Sequence, residues 1–301
     1  MKKKSLTFAF VLRLGIEIVL FFTVLTVVTV RMMRKGMRET YITSTTEIAK
    51  GYSTALVHRN SKFMQQLRLY TTSDAVNSYT DVETLAEWLV AHRKARGSDF
   101  SSIIYCDYES GMAYSDDGEV FDVSRTEYFQ KMKGGDLNQY VSNVIGNNVS
   151  DSRYYVCKAI SIKKRRIGFF AGAINHETLA KAVDAIQVGE SGFATLVSGD
   201  GTVMSYKNDS SLVMKSKIST ERSLGMEKIA SKMTSGESGT EWISNSYGKQ
   251  LAVYTPVKGT DWSFAILIPY SQVYGIANSL ALTMDLFVIF IALVLIVTSA
   301  V

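Results

Sequence analysis

The sequence has few of the residues that form disulfide frameworks or metal sites. Its 301 residues include two cysteines, Cys106 and Cys157, and three histidines, His58, His92 and His176. Two cysteines are too few for a disulfide framework, so they are interpreted as small core residues, with a single disulfide as the alternative. A metal site needs clustered ligands, and the histidines lie on separate predicted helices. We therefore expect surface histidines, no metal and no cofactor.

Sequence patterns of catalysis are missing as well. The Ser-Gly-Asp-Gly turn at residues 198–201 lacks the Gly-x-Ser-x-Gly pattern that presents a serine nucleophile. No paired acid and base, and no activated nucleophile, stands out elsewhere in the sequence. An enzyme of the cell exterior is therefore the least favoured interpretation.

The net charge of +5 is concentrated at the N-terminus. Residues 1–38 contain eight lysine or arginine residues and one glutamate, whereas the central residues are close to neutral. The central region has no basic stripe of the kind that binds a phosphate backbone. We predict no nucleic-acid binding.

Two long apolar segments predict membrane-spanning helices, and the first covers residues 8–31. Ile18–Val30 carries no charge, and a helix over residues 10–30 is roughly 30 Å long, enough to span a hydrocarbon core. Arg13 and Glu17 are four residues apart, so they share a helix face and are expected to pair. No small-x-small cleavage site follows, which favours an uncleaved anchor over a signal peptide.

The second apolar segment covers residues 273–301. Leu286–Val297 is entirely apolar, and Asp285 is the one charged residue of the segment. Two membrane spans without a cytoplasmic part would be unusual for such a protein. We therefore expect an output domain, which can itself be catalytic, beyond Val301.

Residues 32–73 predict a long amphipathic stalk helix. Apolar residues recur at spacings of three, four or seven and form one stripe along it. The members of this stripe are Met37, Tyr41, Ile48, Tyr52, Leu56, Phe63, Leu67 and Tyr70. A helix of this length buries one side, so we expect it to lie along another element and the stripe to supply part of a homodimer interface.

Two modules of similar plan follow the stalk, and we call residues 74–188 the first module and residues 189–272 the second module. Thr80–Glu83 has the pattern of a capping box and predicts the start of a helix. A strand hairpin is predicted around the basic turn Lys163–Arg166. Each module contains a strand, a glycine-containing turn, a strand, a helix and three more strands.

This layout is typical of a PAS-like module, with five antiparallel strands and helices on one side. The predicted fold class is α+β. It comprises a long N-terminal stalk helix and two PAS-like antiparallel-sheet modules, flanked by two transmembrane helices.

Several motifs, in the right order, resemble the double Cache (dCache) sensor domains of bacterial transmembrane receptors. The segments similar to the membrane-distal half are Phe100–Tyr105, Gly111–Ser115, Asp122–Ser124 and Glu127–Lys131. The segments similar to the membrane-proximal half are Gly189–Phe193, Asp200–Val203 and Pro256–Ser263. The resemblance covers roughly residues 38–275.

The resemblance implies small-molecule sensing outside the cytoplasm and signal transduction across the membrane. Such domains serve chemoreceptors, histidine kinases, diguanylate cyclases and phosphodiesterases, and no catalysis is expected in this region. It implies a multi-pass plasma-membrane protein with residues 1–7 in the cytoplasm and about 32–272 outside. The alternative is a membrane-anchored module that recruits a solute-binding protein or another partner and binds no ligand itself.

The resemblance also implies a ligand pocket in the first module, where this sequence departs from the amino-acid-binding members. Those members carry an arginine two positions before an aromatic pair, where this chain has Thr126, with Arg125 displaced by one residue. Their aspartate late in the last strand of the module corresponds to Ala173. An α-ammonium group would lose its partner there, so a standard amino acid is disfavoured.

The remaining candidates for ligand binding are aromatic or mildly polar. They are Phe121, Arg125, Tyr128, Phe129, Tyr140, Ser142 and Tyr155. A pocket lined in this way suits a small anion, a planar ring or a partly apolar metabolite. For Tyr128 and Phe129 the alternative is that they form the core of a short helix.

Overall fold

Helices and two antiparallel sheets account for most of the chain. The structure is a computed structural model, and it describes residues 2–135, 137–146 and 149–300. The helices are α1 (Lys2–Thr71), α2 (Asp74–Asn77), α3 (Val82–Ala91), α4 (Glu127–Gly134), α5 (His176–Asp184), α6 (Glu227–Thr234) and α7 (Tyr270–Ala300). The strands of the first sheet are β1 (Ser102–Asp107), β2 (Met112–Ser115), β3 (Val120–Asp122), β4 (Gln139–Val141), β5 (Arg153–Ile162) and β6 (Arg165–Asn175). Those of the second sheet are β7 (Gln187–Val188), β8 (Gly192–Val197), β9 (Val203–Tyr206), β10 (Gly239–Asn245), β11 (Gly248–Pro256) and β12 (Ser263–Pro269).

The predicted fold class is confirmed, but each sheet has six strands where five were expected. The first sheet has the order β3-β2-β1-β6-β5-β4, and the second has the order β10-β11-β12-β8-β7, with β9 paired to β8. The additional strands are short, with three residues in β3 and β4 and two in β7. Strands of this length are too short to show an alternating pattern. The chain divides into two compact units, one of residues up to Ser44 together with those from Pro269 onward, the other of Thr45–Ile268.

The two apolar helix segments pack against each other within the first of these units. A Cβ on Gly15 would lie 3.4 Å from the Leu295 side chain, and the rings of Phe22 and Phe287 meet edge to face at 6.4 Å. Both helices are long and apolar enough to cross a membrane. The predicted ion pair between Arg13 and Glu17 is present, with Nε 3.2 Å from Oε1.

Helices cover both faces of the first sheet, so the expectation of helices on one side is wrong. Consecutive residues of a strand point to opposite faces, and in β6 both Phe169 and Phe170 are fully buried. Phe170 contacts Tyr70 of α1 at 5.8 Å between ring centroids, whereas Phe169 contacts Phe129 of α4 at 6.0 Å. Because β6 is apolar on both sides, it needs a helix on each.

The C-terminal half of the stalk stripe, from Leu56 to Tyr70, is buried against other parts of the same chain. Leu56, Phe63, Leu67 and Tyr70 are at most 9% exposed. Phe63 packs on Phe100, whose ring occupies the space where a Cβ on Gly172 would lie. The expectation that these four residues form part of a homodimer interface is therefore wrong, because other parts of the same chain already cover them.

Two local predictions also need correction. The N-cap of α3 is Asp81 rather than Thr80, since the Asp81 carboxylate accepts the Thr84 N–H at 2.7 Å. His176, expected at the surface, is fully buried at the start of α5, while His58 and His92 are exposed. The second module is what covers His176, because α5 packs on β8 and β9.

The two cysteines are free and fully buried. Cys106 pairs with Phe169 across β1 and β6, and Cys157 pairs with Ala171 across β5 and β6, so both point to the same face with β6 between them. Two strand spacings are about 10 Å, whereas a disulfide needs Cα atoms within about 7 Å. The alternative of an internal disulfide is therefore excluded.

Candidate functional site

One row of residues on the α4 face of the first sheet combines small, polar and aromatic side chains. Ala173 of β6 pairs with Ser102 of β1 on one side and with Tyr155 of β5 on the other. Ser142, just after β4, extends the row: its N–H donates to the Tyr155 carbonyl at 2.9 Å, and its Oγ accepts the Tyr155 N–H at 2.9 Å. Directly opposite residues in adjacent strands share a face, so these four side chains lie side by side.

The neighbouring rows of this face are apolar and form the core under α4. They contain Ile104, Ala171 and Cys157, and then Cys106, Phe169 and Ala159. Phe129 and Met132 of α4 pack on them and are at most 1% exposed. Phe129 is therefore a core residue, as the alternative interpretation had it.

Tyr128 and Tyr155 form a stacked pair at the edge of this core. Their ring centroids are 4.7 Å apart with an interplanar angle of 24°. Tyr128 is 2% exposed, whereas Tyr155 is half-buried. Burial raises the pKa of both phenols above the ordinary value, so at neutral pH both hydroxyls are protonated and can donate.

The other candidates occupy different positions around the same face. Phe121 of β3 packs at the edge of the α4 core, partly buried. Arg125 is exposed in the turn that leads into α4. Tyr140 of β4 is 7% exposed, and its hydroxyl lies within hydrogen-bond distance of Glu127 and Asp261 rather than of the Tyr128–Tyr155 pair. The fold thus gathers Phe121, Tyr128, Phe129, Tyr140, Ser142 and Tyr155 around one face, with Arg125 exposed.

A polar cluster between the two modules was not predicted from the sequence. A cleft of about 620 Å³ is lined by Glu127, Lys131 and Asn143 of the first module and by Asp200 and Asp261 of the second. Hydrogen bonds and an ion pair already engage its acidic groups. These residues come from segments far apart in sequence, and no local pattern brings them together.

Comparison with known families decides the assignment. The family model of the Cache domain, in its double form, matches residues 33–276. The chain belongs to the double Cache family. The match covers both sheets, and it confirms the resemblance that the sequence motifs indicated.

Solved structures show the same fold in other Cache domains. The ligand-binding domain of the Pseudomonas fluorescens chemoreceptor CtaA, in complex with L-isoleucine, is 16% identical with a TM-score of 0.63, covering 81% of this chain and 98% of that one. The ligand-binding domain of the Pseudomonas aeruginosa PAO1 amino acid chemoreceptor PctC, in complex with GABA, is 18% identical with a TM-score of 0.55. The match covers 74% of this chain and 97% of that one. No curated protein matches this chain in sequence.

Membership of the family establishes the general function. This Cache domain serves extracytoplasmic sensing and transmembrane signal transduction, as predicted. The structurally similar domains of CtaA and PctC were solved with L-isoleucine and GABA bound.

Proposed function

We propose that this Cache domain is the sensing region of a multi-pass plasma-membrane receptor and binds a small ligand on the α4 face of its first sheet. In this proposal the residues from about 32 to 272 lie outside the cytoplasm. The observation that carries the proposal is the stacked Tyr128–Tyr155 pair beside the row Ser102, Ala173 and Ser142. Phenol rings next to small side chains offer flat apolar contact and a few hydrogen-bond donors, which is typical of a small-molecule site.

The chemistry of this face favours a ligand without an ammonium group. Similar Cache structures hold L-isoleucine or GABA, and such ligands carry an ammonium group that requires a carboxylate or another strong acceptor. Here Ala173 is fully buried between Ser102 and Tyr155, so this row offers no carboxylate. The phenols and the exposed Arg125 are donors, and they suit a planar ring or a small carboxylate.

A thermal-shift screen of the intact chain in detergent tests the proposal, with aromatic acids, nucleobases, simple carboxylates, amines and amino acids as probes. A ligand at a hundred times its Kd adds about 2.7 kcal/mol to stability, a rise in Tm of roughly 5–10 °C. We expect a hit among planar or carboxylate compounds, and we expect Tyr155→Ala to abolish it and Arg125→Ala to weaken it about tenfold.

Arg165→Ala is the matched control, because Arg165 is also an exposed arginine of the first module but lies at the β5–β6 turn. It should leave the shift unchanged. A hit that survives Tyr155→Ala would place the ligand elsewhere and contradict the proposal.

The second candidate function, recruitment of a protein partner, has one observation in its favour. Tyr128 and Phe129 are 2% and 1% exposed, so their rings fill the face that a ligand would contact. If no compound in the screen shifts a cooperative melting transition, this candidate replaces the first.

We also propose that the receptor is a homodimer that associates through the N-terminal part of the stalk stripe, from Met37 to Tyr52. Ile48 is 38% exposed there, whereas its neighbour Ala49 is 1% exposed. We expect Ile48→Cys to form a disulfide between two chains under mild oxidation in the membrane, and Ala49→Cys to form none. Equal crosslinking of both variants, or of neither, on a non-reducing gel would exclude this interface.

A further inference from the structure

The hydroxyl of Tyr140 lies between two carboxylates that belong to different modules. It is 2.9 Å from Oε1 of Glu127 and 3.0 Å from Oδ2 of Asp261. Glu127 is the first residue of α4, which also carries Tyr128. Asp261 lies in the turn that leads into β12 of the second module. One side chain thus connects the helix over the proposed ligand face to the other module.

The phenol can satisfy only one of these two carboxylates at a time. Burial raises the pKa of the Tyr140 hydroxyl, and the charges of Glu127 and Asp261 raise it further, so the group is protonated at neutral pH. A phenol has a single proton to donate. When that proton points to one carboxylate, the other faces an oxygen lone pair and is repelled. The contact therefore has two alternative arrangements, one within the first module and one between the modules.

Each carboxylate keeps a second partner when Tyr140 turns away from it. The amide nitrogen of Asn143 is 3.0 Å from both carboxylate oxygens of Glu127. Nζ of Lys131, one turn further along α4, is 3.7 Å from Oδ2 of Asp261. Neither arrangement leaves a carboxylate without any partner, so neither carries the cost of an unpaired charge and both are accessible to the junction.

The second module approaches this cluster through two turns. Asn143 Oδ1 accepts the N–H of Gly199 at 3.1 Å, so the turn at 198–202 is attached to the same asparagine that holds Glu127. A Cβ on Gly199 would lie 2.6 Å from Cβ of Asp261, which means that this turn and the turn at 257–262 are in close contact. A change at Tyr140 therefore reaches both turns.

We propose that Tyr140 is the residue that couples the position of α4 to the second module. A displacement of α4 that draws Glu127 away directs the hydroxyl proton to Asp261 and tightens the junction; the reverse displacement directs it to Glu127 and loosens the junction. This inference rests on the proposed function in one respect, namely that a ligand on the α4 face is what displaces the helix.

Amide hydrogen exchange of the intact chain in detergent, without any ligand, tests the coupling. The hydroxyl is shared between the two carboxylates, and only its bond to Asp261 holds the junction, so Tyr140→Phe is expected to speed exchange in the turns 198–202 and 257–262 by a few-fold.

Tyr108→Phe is the matched control for this variant. The Tyr108 hydroxyl donates to the Met132 carbonyl of the same helix at 2.9 Å, at the end of α4 remote from Glu127. This variant removes one phenol hydrogen bond to α4 and should leave exchange in both turns of the second module unchanged. If Tyr140→Phe and Tyr108→Phe affect these turns equally, or neither affects them, the coupling role is overturned.

Glu127→Gln tests the competition between the two acceptors. A neutral amide competes poorly for the phenol proton, so the proton goes to Asp261, and exchange in the turn 257–262 should slow several-fold. The effect should vanish in the double variant Glu127→Gln/Tyr140→Phe. Slowing that persists in the double variant would show that Tyr140 is not the mediator.

The exchange measurement separates this inference from the proposed ligand site. It needs no ligand, so an empty compound screen leaves its outcome intact. Conversely, exchange that does not respond to Tyr140→Phe removes the coupling role and leaves the proposed binding face untouched.

Discussion

Replacing Arg96 with methionine is expected to lower the free energy of unfolding by about 3–5 kcal/mol. Nη1 of Arg96 donates to both oxygens of Asp116, at 3.1 and 2.8 Å, and the Asp116 side chain is 1% exposed. Without the guanidinium the buried carboxylate loses the ion pair that compensates its charge. The pair fastens the segment after α3 to the turn that follows β2, so its loss should loosen the edge of the first sheet.

Urea unfolding of the intact chain in detergent measures this effect, and two further variants control it. The double variant Arg96→Met/Asp116→Asn removes the buried charge as well and should recover part of the loss. Glu109→Gln breaks an ion pair in which Nη2 of Arg165 is 3.7 Å from Oε2 of Glu109. Their side chains are 80% and 87% exposed, so stability should remain unchanged. A loss below about 1 kcal/mol for Arg96→Met would mean that water reaches Asp116.

Acidification from pH 7.5 to 5.5 is expected to destabilise the protein through His176. Desolvation lowers the pKa of His176 below its ordinary value of 6.5, and the backbone of Met204 and the charge of Asp184 offset this in part. Neither ring nitrogen has a hydrogen bond of normal geometry within the part of the chain that the structure describes, so the nearby Met204 backbone is a weak partner. Asp184 is itself engaged by the Ser205 hydroxyl at 2.6 Å, and the N-terminus of α5 disfavours a cation.

The lowered pKa of His176 makes the folded protein less stable as the pH falls. Because the unfolded chain takes up the proton more readily, the stability that neutral His176 contributes is complete above pH 6.5 and is lost as the pH falls towards the pKa of the folded state. The loss approaches about 1.4 kcal/mol per pH unit within that window. Melting temperatures at the two pH values measure it.

Substitution of histidines separates this effect from general acid sensitivity. His176→Gln should abolish most of the difference in Tm between the two pH values, while the matched variant of the exposed His58, His58→Gln, should retain it. If His176→Gln keeps the full pH dependence, carboxylates elsewhere are responsible.

Much of the fold could be predicted because its elements leave local patterns. Each of these patterns lies within one segment of the chain: the uncharged run Ile18–Val30, the helical repeat of the stalk stripe, and the strands and turn of the hairpin around Lys163–Arg166. The faces of the first sheet could not be assigned in this way, because β6 is apolar on both sides and its two partners are helices far away in sequence.

The candidate site was predictable to a smaller extent. Tyr128, Ser142 and Tyr155 share one face because of strand register and the position of α4, and motif positions alone do not fix that register. Tyr140 was selected as an aromatic candidate, but its partner Asp261 lies 121 residues along the chain. The burial of His176 depends likewise on the second module folding over α5.

The inaccessible thiols make the protein a convenient host for chemical probes. Cys106 and Cys157 are the two cysteines of the sequence, both are 0% exposed, and burial raises their pKa well above the ordinary value. Thiol reagents attack the thiolate, so within residues 1–301 of the folded protein a maleimide dye or a nitroxide label should react only at a cysteine introduced by mutation. Distances between two chains, or between α4 and the second module, can therefore be measured without first removing a native residue.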